Sequence, residues 1–172
     1  MSVVKLSAAD LEKRLAGIKL LSLDTDGVLT DGGIYFTDSG DELRKFNVKD
    51  GMGMKIAQAA GVRIAIITAS SSPSIGHRAT SLGVDHVFLA VEDKAQTLTK
   101  LCDKLKISPD QVVHVGDDVN DIPVLELVGI PMSVADAMPE ARDAACYVTD
   151  RKGGDGAVRE ICDLVAAAKA EA

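Results

Sequence analysis

Asp24 and Asp26 stand two residues apart at the end of the apolar run Ile18-Lys19-Leu20-Leu21-Ser22-Leu23, and Gly27 follows at once. If extended backbone continues through them, both carboxylates point to one side, because strand side chains alternate with a period of two. Two carboxylates pressed together do not both ionise comfortably, so they call for a cation, a shared proton or solvent. Other chemistry-bearing residues recur at matching places. Thr68 closes the apolar run Val62-Arg63-Ile64-Ala65-Ile66-Ile67, Lys94 starts a helical pattern, and Asp117, Asp118 and Asp121 follow Val112-Val113-His114-Val115. Hard oxygen donors such as those of Asp24, Asp26 and Asp117 suit Mg2+. Thr68, the N–H groups after it and a helix start near Ser72 can hold phosphate oxygens, and Lys94 can offset their charge. An aspartate beside such a group can attack phosphorus, and a second carboxylate two residues on can protonate the leaving oxygen and later take a proton from water. Together these residues suit phosphoryl transfer, in which positioning and charge neutralisation do most of the catalysis.

The elements that must position them alternate along the chain. Strands are predicted at residues 18–23, 62–68, 85–89, 112–115, 130–134 and 146–148. Helices are predicted from Asp50 as cap through Met54, Ile56 and Ala60, from Ser72-Pro73 to Leu82-Gly83, and over residues 92–105 and 157–170. Proline early and glycine late frame the second helix. Strand–helix alternation implies an α/β fold, a parallel sheet with helices on both faces. Ile34-Tyr35-Phe36, a turn at Asp38-Ser39-Gly40 and residues 42–48 predict a β-hairpin inserted after the first strand. A two-stranded hairpin is only marginally stable in water, which suggests pairing with copies of itself in a homo-oligomer. Gly153-Gly154-Asp155-Gly156 is the one stretch expected to flex.

Length and composition bound the function. A chain of 172 residues with 47% hydrophobic content can bury a core as one domain spanning 1–172. A net charge of −7 argues against nucleic acid or an anionic membrane as the main partner. No run approaches the ~20 apolar residues of a membrane span, and Met1-Ser2-Val3-Val4-Lys5 lacks the basic and apolar regions of a signal peptide. Cys102, Cys146 and Cys162 have no metal or redox spacing and are expected reduced, in a cytoplasmic protein. His77, His86 and His114 show no ligand spacing and are expected in structural or surface roles; Met52 and Met54 are expected in packing.

The order Asp24-x-Asp26-Gly27-Val28, Thr68, Lys94 and Gly116-Asp117-Asp118-x-x-Asp121 resembles the four motifs of the haloacid dehalogenase superfamily phosphatases, over nearly the whole chain. Residues 26–32, Phe46-Asn47-Val48-Lys49-Asp50-Gly51 and residues 153–160 are similar to the 3-deoxy-D-manno-octulosonate 8-phosphate phosphatases within it. That resemblance implies a Rossmann-like, capless domain and a tetramer in which a neighbour's hairpin and C-terminal tail help close each site. It implies Asp24 as nucleophile, Asp26 as general acid/base, and Thr68 and Lys94 on the phosphoryl group. It implies Mg2+ held by Asp24, the backbone carbonyl of Asp26 and Asp117, with Asp118 and Asp121 behind them. Substrate contacts would come from Asp26, Asn47, Val48, Lys49, Asp50, Gly51, Lys55, Arg78 and Lys94; Lys55 stands where the family often has arginine. One departure bears on the substrate: where the family commonly has Gly-Arg after the threonine, this chain has Ala69-Ser70. Arg151, Lys152 and Arg159 could supply the missing positive charge. A sugar-acid phosphate is the implied substrate, 3-deoxy-D-manno-octulosonate 8-phosphate first and a nine-carbon keto-acid 9-phosphate as the alternative. A weakly catalytic oligomerisation module is a further alternative, and a phosphoacceptor receiver is disfavoured by Asp26 and by the motif order.

Overall fold

The computed structural model describes residues 5–171; the N-terminal residues Met1 to Val4, read above for a leader, lie outside the described residues, as does Ala172. Six apolar runs form one parallel sheet in the order β5-β4-β1-β6-β7-β8. They are β1 Leu20–Leu23, β4 Arg63–Ile67, β5 His86–Phe88, β6 Val112–Val115, β7 Ile130–Ser133 and β8 Tyr147–Val148. β1 lies inside, with Leu20 opposite Arg63 on β4 and Val112 on β6. All four residues of β1 and of β6 are buried, which explains their near-continuous apolar character.

The period of two sorts these strands between two helical layers. Leu21, Leu23, Ile64, Ile66, Val113 and Val115 face a core shared with α1 (Ala8–Ala16), α2 (Val48–Ala59), α3 (Pro73–Leu82) and α7 (Ala157–Ala170). Leu20, Ala65, Ile67 and Val112 face α4 (Lys94–Leu105) and α5 (Ile122–Leu127). Ser22 shares the side of Leu20 and His114 the side of Val112, so both carry polar groups toward that second layer. The α/β sheet with helices on both faces is therefore as expected. No helix among the described residues is long and apolar enough to cross a membrane.

Four local expectations change. α1, α5 and α6 (Pro139–Ala144) were not foreseen; the last two have six residues each, too few for a periodic signal. Asp50 does not cap α2: Asn47 does, its side chain accepting from Lys49 N at 2.8 Å. The Asp50 carboxylate turns inward and accepts from Gly156 N (3.3 Å) and Arg159 N (2.8 Å), at the start of α7. That places a buried negative charge against the positive end of a helix dipole. The hairpin forms only two-residue strands, β2 (Tyr35–Phe36) and β3 (Glu42–Leu43), joined to the chain base by a Thr30–Phe46 bridge. Finally, the glycine run is clamped rather than free. Gly154 N donates to Val28 O at 3.0 Å, Gly153 N donates to Asp136 Oδ1 at 2.9 Å, and Asn47 Nδ2 donates to Gly154 O at 3.2 Å. A Cβ on Gly153 would fall 1.7 Å from Gly27 O. Glycine is needed there because the acidic loop rests directly on its backbone.

Candidate active site

The carboxyl ends of β1, β4 and β6 are neighbours, so the residues that follow them meet. Asp24 still belongs to the sheet frame, its N–H donating to Val115 O at 3.0 Å. The chain then turns: Val28, Leu29 and Thr30 all donate to Thr25 O at 2.9–3.3 Å. Extended backbone thus stops before Asp26, and the two carboxylates part. Asp24 is 5% exposed at the floor, whereas the Asp26 side chain is 32% exposed at the rim. Thr68, buried after β4, accepts from Ser70 N at 3.2 Å. A cavity of about 260 Å³ lies between these ends, lined by Asp24, Asp26, Thr68, Ser70, Asp117 and Asp118 among others.

Beneath it runs a chain of polar contacts. Lys94 Nζ, buried at the start of α4, lies 2.9 Å from Asp24 Oδ2 and 2.7 Å from Asp121 Oδ1. Asp121 Oδ2 accepts from Asp117 N (3.1 Å) and Asp118 N (3.5 Å), shaping the loop after β6. His114 Nε2 approaches Asp121 Oδ1 at 3.5 Å, and its Nδ1 lies 3.0 Å from Ser22 Oγ. Asp118 Oδ1 accepts from Val119 N at 2.6 Å and opens the short 3-10 turn Val119–Asp121. Polar residues inside apolar strands need partners, so Ser22 and His114 had left a signal in the sequence. His114 proves to be a buried support of the site.

One ammonium does not balance three converging carboxylates. Ligand oxygens of Asp24, Asp117 and Asp121 lie within 4.8 Å of one another. Burial, followed by the charge of Asp121, pushes Asp24 up to about 6 despite the opposing pull of Lys94. Burial, followed by the charges of Asp24, Asp121 and Asp118, pushes Asp117 up to about 7. For Asp121 burial acts upward too, but His114 and Lys94 outweigh it and hold the carboxyl down at about 2. The contrast follows from donor supply. Both Asp121 oxygens are engaged, while Asp24 Oδ1 is buried without a partner. An orphaned oxygen on Asp24 beside the charge-crowded Asp117 fits a hard divalent cation, and the all-oxygen set suits Mg2+. Asp26 lines the same cavity.

The remaining expected contacts gather elsewhere. Arg78 Nη2 donates to Asn47 O at 3.0 Å, and a Cβ on Gly51 would meet that guanidinium. Asn47, Asp50, Gly51 and Arg78 thus form a packed junction among α2, α3 and α7, outside the acidic cavity. Val48 and Lys55 are exposed, and neither lines it. Lys49, Arg151 and Arg159 line a separate cavity of about 540 Å³, where Arg159 Nε pairs with Asp163 at 2.8 Å. Within one chain, Arg151 and Arg159 therefore do not line the acidic cavity.

A residue the motifs did not mark does reach the wall of the acidic cavity. Arg44, the residue after β3, places Nε 2.6 Å from Asp26 Oδ1 and Nη2 3.0 Å from Asp26 Oδ2. The same Nη2 lies 2.9 Å from Ser70 Oγ, and Nη1 pairs with Glu42. The only hint in the sequence was alternation: Glu42, Arg44 and Phe46 share one side of an extended strand.

Comparison with known proteins agrees with this fold. Residues 87–161 match the family described as haloacid dehalogenase-like hydrolase. The chain is 44% identical, over 158 residues, to the 3-deoxy-D-manno-octulosonate 8-phosphate phosphatase of Escherichia coli, covering 92% of this chain and 84% of that one. The phosphatase of the same name from Moraxella catarrhalis, solved in complex with a magnesium ion, a phosphate ion and a KDO molecule, superposes with a TM-score of 0.90 at 35% identity. That match covers 92% of this chain and 91% of the other. The Yersinia pestis enzyme of that name gives a TM-score of 0.91 at 42% identity, covering 94% of this chain and 88% of that chain.

Proposed function

The chain belongs to the haloacid dehalogenase-like hydrolases, a phosphoric monoester hydrolase by its relatives, and on that premise we propose that it is a Mg2+-dependent phosphatase of 3-deoxy-D-manno-octulosonate 8-phosphate. The observation that carries the chemistry is the free Asp24 Oδ1, buried beside a carboxylate oxygen already held by Lys94.

One carboxylate oxygen of Asp24 attacks phosphorus as the bond to the sugar oxygen breaks, forming an aspartyl-phosphate. Asp26, at the rim, protonates the departing sugar oxygen, then takes a proton from the water that hydrolyses the phosphoenzyme. Lys94 and the Thr68 hydroxyl offset and orient phosphoryl charge, while Asp121 and His114 hold Lys94 in place. Asp24, Asp117 and the carbonyl of Asp26 would hold Mg2+, which supplies Lewis-acid neutralisation of the phosphoryl oxygens when bound.

The sheet shared by both apolar layers supports one domain across the chain. Exposed Tyr35, Phe36, Leu43, Val48 and Met52 support a homo-oligomer, a tetramer by resemblance, with other copies covering the hairpin. Three buried, unpaired cysteines fit a reducing cytoplasm.

The test is phosphate release by the purified protein with Mg2+. The panel contains octulosonate 8-phosphate, nine-carbon keto-acid 9-phosphates and neutral sugar phosphates. Preference for the first, abolished by Asp24→Asn, is the expected result. Activity surviving Asp24→Asn would sink the mechanism, and preference for a nine-carbon acid would move the substrate.

A further inference from the structure

On the footing of that sugar-acid phosphatase function, we propose that Arg44 recognises the substrate's carboxylate, giving up Asp26 to bind it. Among the described residues, the cavity lining carries Asp24, Asp26, Asp117 and Asp118 and no lysine or arginine. Lys94, below the floor, is already committed to Asp24 and Asp121. An anionic sugar acid entering this cavity meets phosphoryl-binding groups at the bottom and carboxylates at the mouth. A second negative group on the substrate needs a second cation there.

Arg44 is placed to be that cation. Its guanidinium touches two residues of the lining, Asp26 through two N–H groups and Ser70 through one. Nε and Nη2 present the planar fork that matches a carboxylate bidentately, and Asp26 already fills it. A carboxylate on the ligand has the same shape and charge as the group now bound. Exchange therefore keeps the arginine's hydrogen bonds, and Asp26, a third exposed, has room to turn away. Ser70 Oγ keeps the guanidinium at the cavity wall during the exchange, with Glu42 on its other side. The base of the hairpin is anchored by the Thr30–Phe46 bridge and by Lys45 on Asp31 at 2.7 Å, so Arg44 is delivered from a fixed position.

The experiment compares wild type, Arg44→Gln and Arg44→Lys in two assays with Mg2+ present. The first measures kcat/KM on octulosonate 8-phosphate and on a hexose 6-phosphate, which lacks the carboxylate. Arg44→Gln should lower the ratio of the two by about tenfold or more, mainly through KM on the acid, since the hydrogen bonds to a charged group are lost with the guanidinium. Arg44→Lys should recover part of the loss, as it keeps charge without the fork. An unchanged ratio, with both substrates losing equally, would show a support for Asp26 or the hairpin and overturn the proposal. The second assay measures calorimetric binding of the free octulosonate, which needs no turnover. Weakening by about tenfold or more in Arg44→Gln is expected. Equal affinities in wild type and variant, or no binding by either, overturn the role of Arg44. Absence of phosphate release from any ester by wild type would overturn the phosphatase function instead, and leaves calorimetry to decide Arg44.

Discussion

Lys94 Nζ is held 2.7 Å from Asp121 Oδ1, closer than its 2.9 Å contact with Asp24. Asp121 is thus the lysine's anchor, and Asp24 keeps one oxygen free for chemistry. Because both oxygens of Asp121 are engaged, it is expected to position Lys94 rather than ligate Mg2+. Asp121→Asn is expected to cost about 2 kcal/mol or more of unfolding free energy in urea titrations, by leaving buried donors and a charge short of a partner. Its Mg2+ affinity, read by calorimetry, should fall less than that of Asp117→Asn. The reverse order would make Asp121 a ligand.

Removing the only ammonium among three close carboxylates should be more severe. Lys94→Met is expected to lower kcat on the preferred ester by about 100-fold or more, the scale of losing one preorganised charge-stabilising donor. The variant should also gain more thermal stability from Mg2+ than wild type does, since the cation then offsets the carboxylates without the ammonium. A variant with near-normal kcat would contradict the placement of Lys94 on the phosphoryl group.

Stability should depend on pH in a direction set by the crowding. Asp24, at about 6, and Asp117, at about 7, titrate well above the ordinary carboxyl value of 3.8. Between about pH 4 and pH 7 the folded state then binds more protons than the unfolded state, so metal-free stability falls as pH rises. Asp121 acts oppositely, but only as pH drops from the ordinary carboxyl range through about 2. Thermal melts in chelator from pH 5 to pH 8 should show a falling Tm, and saturating Mg2+ should flatten that slope. A Tm that rises with pH in chelator would refute the crowding.

Two glycines distant in sequence should share a phenotype. A Cβ on Gly27, at φ +85°, would lie 1.9 Å from Asp117 Oδ2, and one on Gly153 would press on Gly27 O. Gly27→Ala and Gly153→Ala are each expected to weaken Mg2+ binding about tenfold or more, the scale seen when groups supporting a metal site are disturbed. Gly40→Ala is the comparison: its φ is +86°, but a Cβ there meets nothing within 4 Å. It should cost stability alone, seen in the melt and absent from the metal titration.

The exposed hairpin predicts an assembly. Tyr35 is 55% and Phe36 69% exposed on strands of two residues. Light scattering should give a mass above one chain for wild type. Tyr35→Asp with Phe36→Asp should shift it toward the monomer, whereas a wild-type monomer at working concentration would remove the oligomer.

Strand-end residues were legible because two local rules place them. Apolar runs of four to six residues become buried strands, and a parallel sheet brings their carboxyl ends together. Asp24, Thr68, Lys94 and Asp117 therefore met as their positions implied. Asp50 was misplaced because its partners, Gly156 and Arg159, lie more than a hundred residues away, and its spacing equally suits a local cap. The glycine run was misjudged for a related reason. Glycine marks both a loose backbone and a close approach, and only the acidic loop lying against it tells the two apart.

The sequence by itself determined the layered sheet, the order of the acidic, hydroxyl and basic groups along it, and the phosphoryl chemistry they suit. These follow from alternation, chain order and charge, which are local properties. Only the tertiary structure decided the division of labour. It sank Asp24 and raised Asp26, by a turn closing on Thr25 O. It tied Lys94 through Asp121 and His114 to Ser22, and it carried Arg44 across 26 residues to Ser70. Such contacts depend on which strands become neighbours and where a hairpin folds back, and no spacing along the chain encodes that distance.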